Sequence, residues 1–134
     1  MKRNIFSDVE SPLEIFSDER GLIVDIFYKE KIDHVAFIKT KSGEIRGNHY
    51  HKETTQFTLI LKGKVEYWER SINDAKSKTI YCGEGDIIIS EPNKIHAFKY
   101  VEDNEMIVFT RGPRGGKDYE ADTFRVENII KKNI

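Results

Sequence analysis

Cysteine is almost absent: Cys82 stands alone in 134 residues. No internal disulfide framework can form, and a single thiol fits a reducing compartment, so a cytoplasmic location is expected. An excess of one charge is also missing. With 22 basic and 23 acidic residues the net charge is −1. A general nucleic-acid binder normally shows a basic excess, so no nucleic-acid partner is expected, although a local basic pocket for a phosphate remains open. No run approaches the roughly 18 apolar residues of a membrane span, so no membrane partner is expected. The start, Met1 to Asp8, is charged but has no apolar stretch behind it and does not read as a signal peptide. Only 3 prolines occur, and there is no low-complexity tract, no repeat of solenoid length and no linker. One domain over residues 1–134 is expected, with a core at about 13–112 and a C-terminal extension at 113–134. A chain of this length buries roughly two-thirds of its unfolded surface, enough to fold without disulfides or a structural metal.

What the sequence does hold is 8 Phe, 6 Tyr and many Ile, set in short β-type runs between turns. The runs are Leu13–Phe16, Leu22–Tyr28, His34–Thr40, Glu44–Tyr50, Gln56–Leu61, Val65–Trp68, Thr79–Tyr81, Ile87–Ile89, Ile95–Val101 and Glu105–Thr110. Strands at this spacing, punctuated by Gly21, Gly43, Gly63 and Gly85, predict an all-β sandwich or barrel. No stretch before residue 117 sustains helical apolar spacing. Residues 127–134 read as a short helix or a frayed end. Phe57, Tyr67 and Trp68 are expected in the core. Arg111–Lys117, basic and glycine-rich, reads as an exposed crossing loop or an inter-subunit contact, with phosphate cradling as the alternative.

There are four histidines: His34, His49, His51 and His96. His34 belongs to no motif and reads as structural. His49 and His51 are spaced i and i+2, which on a strand puts both on one face, about 7 Å apart. Alone, that spacing fits two surface histidines. Here it is followed by Gln56, an apolar run, Gly63, and then a second block of Gly85, Pro92 and His96. Neighbouring strands of a small barrel can aim His49, His51, Gln56 and His96 at one point. Imidazoles are common transition-metal ligands, and three of them leave a coordination position open.

These two blocks resemble the cupin superfamily. Its first motif is matched by Gly43, His49-Tyr50-His51, Gln56 and Gly63, and its second by Gly85, Pro92 and His96, with Lys94 where the family has glycine. The resemblance implies a double-stranded β-helix, the cupin jelly-roll barrel, with a short C-terminal helix as a possible addition. Gln56 replaces the glutamate of metal-binding cupins. A neutral amide is a weaker ligand than a carboxylate. Two readings follow: His49, His51, His96 and Gln56 hold a divalent metal such as zinc, iron or nickel, or the histidines act without metal as bases and donors. No organic cofactor is expected.

Asp18-Glu19-Arg20-Gly21 and Arg46-Gly47-Asn48-His49 narrow the resemblance to sugar-nucleotide cupins, the 3,5-epimerases and 3,4-ketoisomerases of dTDP-4-keto-6-deoxyhexoses. Arg46 to His51 also resembles the C-terminal cupin domain of capsular-polysaccharide enzymes. The resemblance implies His49 as base. The enolate then needs a donor or cation, for which Arg46, Lys62, a metal or a second histidine such as His51 could serve, so His49, His51 and Arg46 are the catalytic candidates. The resemblance implies a nucleotide-sugar ligand held by Arg20 at the diphosphate and by Gln56 and Tyr50. It also implies a homodimer. The epimerases carry an acid tyrosine on the strand after the second motif, but Glu105–Phe109 has none, leaving Tyr50, Tyr67 and Tyr100 as candidates. The competing expectations are a metal-dependent dioxygenase or sugar-phosphate isomerase, and a non-catalytic sugar-binding module.

Overall fold

In the computed structural model, residues 1–113 and 116–130 are described. The chain forms β1 (Lys2–Asn4), β2 (Ile15–Asp18), β3 (Gly21–Val24), β4 (His34–Thr40), β5 (Ile45–Tyr50), β6 (Thr55–Lys62) and β7 (Val65–Ser71). It continues with β8 (Lys78–Cys82), β9 (Asp86–Ser90), β10 (Lys94–Tyr100), β11 (Asn104–Arg111), α1 (Gly116–Ala121) and β12 (Phe124–Arg125). Two antiparallel five-stranded sheets, β1-β9-β6-β11-β4 and β12-β5-β10-β7-β8, face each other, and β2-β3 is a separate hairpin. From β4 to β12 successive strands alternate between the sheets, apart from the β7-β8 hairpin. This is a double-stranded β-helix, the jelly-roll barrel that the two histidine motifs predict.

All ten sequence-expected strands are present. β1 was not expected, because Lys2-Arg3-Asn4 carries no apolar signal and joins the sheet edge through backbone pairing with Asp86–Ile88. The helix forms at 116–121, ahead of the 127–134 stretch where the sequence suggested one. Residues 127–130 have no regular structure, and 131–134 lie outside the described residues, as do Arg114 and Gly115 of the glycine-rich loop.

Three apolar clusters hold the fold. Between the sheets lie Ile60, Val65, Tyr67, Ile88, Phe98, Tyr100, Met106 and Val108. Outside the first sheet, Phe57, Leu59 and Ile87 are covered by Ile5 and by the Val24–Ile32 region. Outside the second, Ile95 and Ala97 are covered by Ile129 and Ile130, with Tyr50 and Trp68 packed alongside. Burial on both faces explains why β9 reads as an unbroken run, Ile87-Ile88-Ile89, rather than an alternating one. Each fully buried isoleucine contributes roughly 1.5–3 kcal/mol. Chain outside residues 13–112 therefore supplies part of both outer clusters. At the β6-β7 turn, Gly63 has φ +89°, and a Cβ there would lie 2.3 Å from the Asp103 carbonyl oxygen, so only glycine fits.

Candidate functional site

The inter-sheet core is apolar at one end and polar at the other, and β5 and β10 build the polar end. On β5 a bulge decides which side chains turn inward. One step on β10, His96 to Ala97, is matched by two on β5, His49 to Gly47, so Asn48 is the extra residue. Gly47 (φ 98°) and Asn48 (φ 57°) supply the left-handed backbone that the bulge needs. The bulge lets Arg46 and His49, three apart, face the same interior. Glycine is needed at position 47 for a second reason, because a Cβ there would lie 2.8 Å from the His96 carbonyl oxygen.

The three imidazoles meet inside. Ring centroids are 4.9 Å apart for His49–His51, 4.7 Å for His49–His96 and 5.5 Å for His51–His96. One nitrogen from each lies within 4.8 Å of the others. His51 and His96 are buried and His49 is half-buried. His51 Nδ1 lies 2.8 Å from the Asp122 carbonyl oxygen. A carbonyl only accepts, so Nδ1 carries the proton and Nε2 carries the lone pair. His96 is held neutral: burial, and then the neighbouring His49 and His51, push its pKa down to about 3. Its ring stacks on Tyr67, whose hydroxyl is 2.9 Å from Ser90 Oγ and whose burial pushes the phenol pKa up.

A hollow of about 390 Å³ opens beside these rings. Ile38, Phe98, Met106 and Val108 form an apolar wall; His49, Gln56, Thr58 and Arg46 form the polar one. The Arg46 Nε donates to Thr40 Oγ1 at 2.8 Å. Tyr119 of α1 and Arg125 of β12 join the lining, which contains no Asp or Glu among the described residues. Arg46 and Arg125 leave the lining cationic, with Arg125 paired to Glu120 beside it.

His49, His51, His96, Gln56 and Arg46 thus come together. Two expected site residues do not. Arg20 sits at the tip of the β2-β3 hairpin, its guanidinium on Asp18 at 2.6 and 3.0 Å, in a separate cleft with Phe16, Leu22 and Ile23. Tyr50 points to the other face of β5, because it lies between two inward histidines; it stacks on Phe124 with centroids 5.2 Å apart. Of the acid candidates, Tyr100 lines the hollow and Tyr67 is buried behind His96.

The sequence reading missed the C-terminal contribution. Asp122, Tyr119 and Arg125 lie in a polar stretch without periodic apolar spacing. The Asp122 carboxylate accepts from the backbone N–H groups of Lys52, Glu53 and Thr54 and from the Thr54 hydroxyl. It locks the turn after His51 while its carbonyl holds the ring. β12 then pairs with β5, Arg125 opposite His49.

Solved structures share this architecture. A sugar 3,4-ketoisomerase from Thermoanaerobacterium thermosaccharolyticum, in complex with TDP, is 19% identical with a TM-score of 0.69, over 86% of this chain and 85% of that one. A dTDP-4-dehydrorhamnose 3,5-epimerase from Sulfolobus tokodaii is 18% identical with a TM-score of 0.69, over 87% and 78%. A curated relative, a UDP-2-acetamido-2,6-beta-L-arabino-hexul-4-ose reductase from Pseudomonas aeruginosa, is 28% identical over 95 residues, 69% of this chain. The chain spans 25% of that relative's length. The polysaccharide biosynthesis C-terminal domain model matches residues 16–124, from the first hairpin through every strand that builds the hollow to the first residue of β12. By that match the chain belongs to the polysaccharide biosynthesis C-terminal domain family.

Proposed function

We propose that the chain is an isomerase or epimerase of a nucleotide-linked 4-keto-6-deoxy sugar in surface-polysaccharide synthesis, with His49 as the base. The observation that carries this reading is the half-buried His49 imidazole facing a hollow of sugar size lined by guanidinium and hydroxyl groups. Protons on carbon next to a ketone are weakly acidic, and a neutral imidazole removes one near neutral pH. His49 takes the proton, the electron pair moves onto the carbonyl oxygen, and the Arg46 guanidinium stabilises the enolate. Tyr119 lines the same hollow and would return a proton. The isomerase and epimerase names of the structural neighbours and the family match support this class of substrate.

The donor set fits a divalent metal. His51 offers a fixed Nε2 lone pair, His96 is neutral, and both lie within reach of His49. His49, His51 and His96 would hold the ion, with Gln56 as a weak fourth ligand; His49 would then serve as a ligand instead of the base, because its one basic nitrogen cannot do both. Zinc, iron or nickel suits such a set, and the ion would supply Lewis-acid polarisation of a substrate oxygen. This same donor set favours the second reading, a metal-dependent cupin with dioxygenase or sugar-phosphate isomerase chemistry.

The homodimer is part of the proposal. Among the described residues the β2-β3 hairpin has no third strand, and it exposes Phe16, Leu22 and Ile23, which supports burial against a second copy.

The test is proton exchange in D₂O with a thymidine or uridine diphosphate 4-keto sugar. Wild-type protein should deuterate the carbon next to the carbonyl, and His49→Asn should stop it while keeping the fold. Undiminished exchange in that variant removes His49 as the base. Turnover that depends wholly on added iron and oxygen, with no exchange, would establish the second reading instead.

A further inference from the structure

We propose that Arg125 is the phosphate-binding residue of the hollow, and that Glu120 occupies its guanidinium until a ligand phosphate displaces it. The proposal rests on the nucleotide-sugar reading and names a residue and an exchange that the reading does not require.

Placement comes first. β12 pairs with β5 so that Arg125 stands opposite His49, and its side chain lines the hollow. A phosphate on Arg125 would therefore leave the attached sugar near the base. The two arginines singled out in the sequence are committed elsewhere. Arg46 is tied through Nε to Thr40, and Arg20 is forked onto Asp18 in another cleft.

Chemistry comes second. Arg125 donates from both terminal nitrogens to the two oxygens of Glu120, each at 3.0 Å. That planar, two-toothed contact is the one a guanidinium makes with two oxygens of a phosphate. The carboxylate thus marks the geometry of the anion that the fork accepts. The pair is open to water, with side-chain exposures of 62% and 58%, so no burial holds Glu120 in place. An exposed ion pair is weak and exchangeable, whereas a diphosphate brings more charge to the same fork. Arg125 also lies one residue past the stretch matched by the family model, so the match itself says nothing of its role.

The experiment is calorimetric titration of the full chain with UDP and TDP, and with uridine and thymidine as phosphate-free controls. Wild-type protein should bind the diphosphates. Arg125→Gln should weaken that binding about tenfold or more, as expected for a lost charge-assisted fork. Arg125→Lys, which keeps the charge but not the fork, should fall between. Glu120→Gln should tighten diphosphate binding, because the competitor is removed, and the double variant should match Arg125→Gln. Binding of the nucleosides should not move. If Arg125→Gln binds UDP and TDP as wild type does, or if Glu120→Gln weakens binding as much as Arg125→Gln, the exchange is wrong although the nucleotide-sugar reading survives. If wild-type protein binds neither diphosphate, that reading fails and carries the exchange with it.

Discussion

His51 donates its Nδ1 proton to the backbone carbonyl of Asp122 at 2.8 Å, and the carboxylate of that same Asp122 gathers the turn that follows His51. Burial works to raise the Asp122 carboxyl, but the Thr54 hydroxyl and the N–H groups of Lys52, Glu53 and Thr54 outweigh it and hold the carboxyl below its ordinary range. Asp122→Ala leaves these donors without their acceptor and should destabilise the protein by about 2–4 kcal/mol, with Asp122→Asn losing less. Because the folded pKa lies below the unfolded one, this contribution is full above the ordinary carboxyl range and fades as pH falls through the folded value. Urea unfolding at several pH values should show the gap between wild type and Asp122→Ala narrowing in acid. A gap unchanged down to pH of about 3 would sink the assignment.

Gly47 makes a sharper prediction. A methyl group at this position meets the His96 carbonyl oxygen at 2.8 Å and the Ala97 Cα at 3.0 Å, on a backbone with φ +98°. Backbone atoms of a central strand cannot swing aside, so β5 and β10 must separate where they carry His49 and His96. Gly47→Ala should cost about 3 kcal/mol or more. Gly43→Ala, also at positive φ but with nothing within 4 Å, should cost only about 1 kcal/mol. Equal midpoint shifts for the two variants in thermal unfolding would contradict the close approach.

His96 sets an acid limit. Its folded pKa of about 3 lies below the value of 6.5 for a free imidazole. The unfolded chain therefore binds the proton more readily, and stability falls as pH drops from 6.5 toward 3. The full loss across that window is on the order of 4–5 kcal/mol. In metal-free protein, the urea midpoint should decline steadily below pH of about 6.5, and His96→Gln should flatten the decline. A wild-type midpoint that is level across the window would show that His96 gains its proton without penalty.

How much of this was legible in the sequence depends on the physical signal each residue carries. The barrel was legible because apolar runs alternate with glycine turns. The shared hollow was legible because His49 and His51 are two apart on a strand and the glycine-bounded block ending at His96 repeats the motif logic. The alternation that unites the two histidines also excludes Tyr50 between them, and that consequence follows from the sequence without coordinates. Arg46 is different: three residues from His49, it reaches the interior only through the bulge at Gly47-Asn48. Tyr119, Asp122 and Arg125 gave no signal, because a six-residue helix and a two-residue strand lie below the length at which periodicity can be read. Arg20 looked like a site residue from its local motif, whereas its place on a hairpin tip is a property of the tertiary fold.

The hairpin itself predicts an assembly. Phe16 and Ile23 are direct cross-strand partners and are 55% and 67% exposed. Leaving such a pair in water forfeits the roughly 1.5–3 kcal/mol available from burying each side chain. Replacing both with Asp should convert a dimer to a folded monomer in sedimentation experiments. Wild-type protein that sediments as a monomer at all concentrations would remove the dimer from the proposal.

The two tyrosines on opposite sides of β5 separate the interior from the exterior. Tyr50 stacks on Phe124 outside the hollow, with ring planes 20° apart, and packs with the outer cluster of Ile95, Ile129 and Ile130. Tyr119 lines the hollow with its ring centroid 5.6 Å from that of His51. Removing a hydroxyl changes little in volume, so phenylalanine at either position tests proton transfer rather than packing. If Tyr119 returns the proton, Tyr119→Phe should slow net conversion by roughly 10²-fold or more, the usual worth of a positioned acid. Deuterium wash-in driven by His49 should fall much less, because abstraction precedes the Tyr119 step. Tyr50→Phe should leave both rates at the wild-type level. Should Tyr50→Phe slow conversion while Tyr119→Phe does not, the proton donor stands on the outer face of β5, and the direction of approach to the sugar must be reversed.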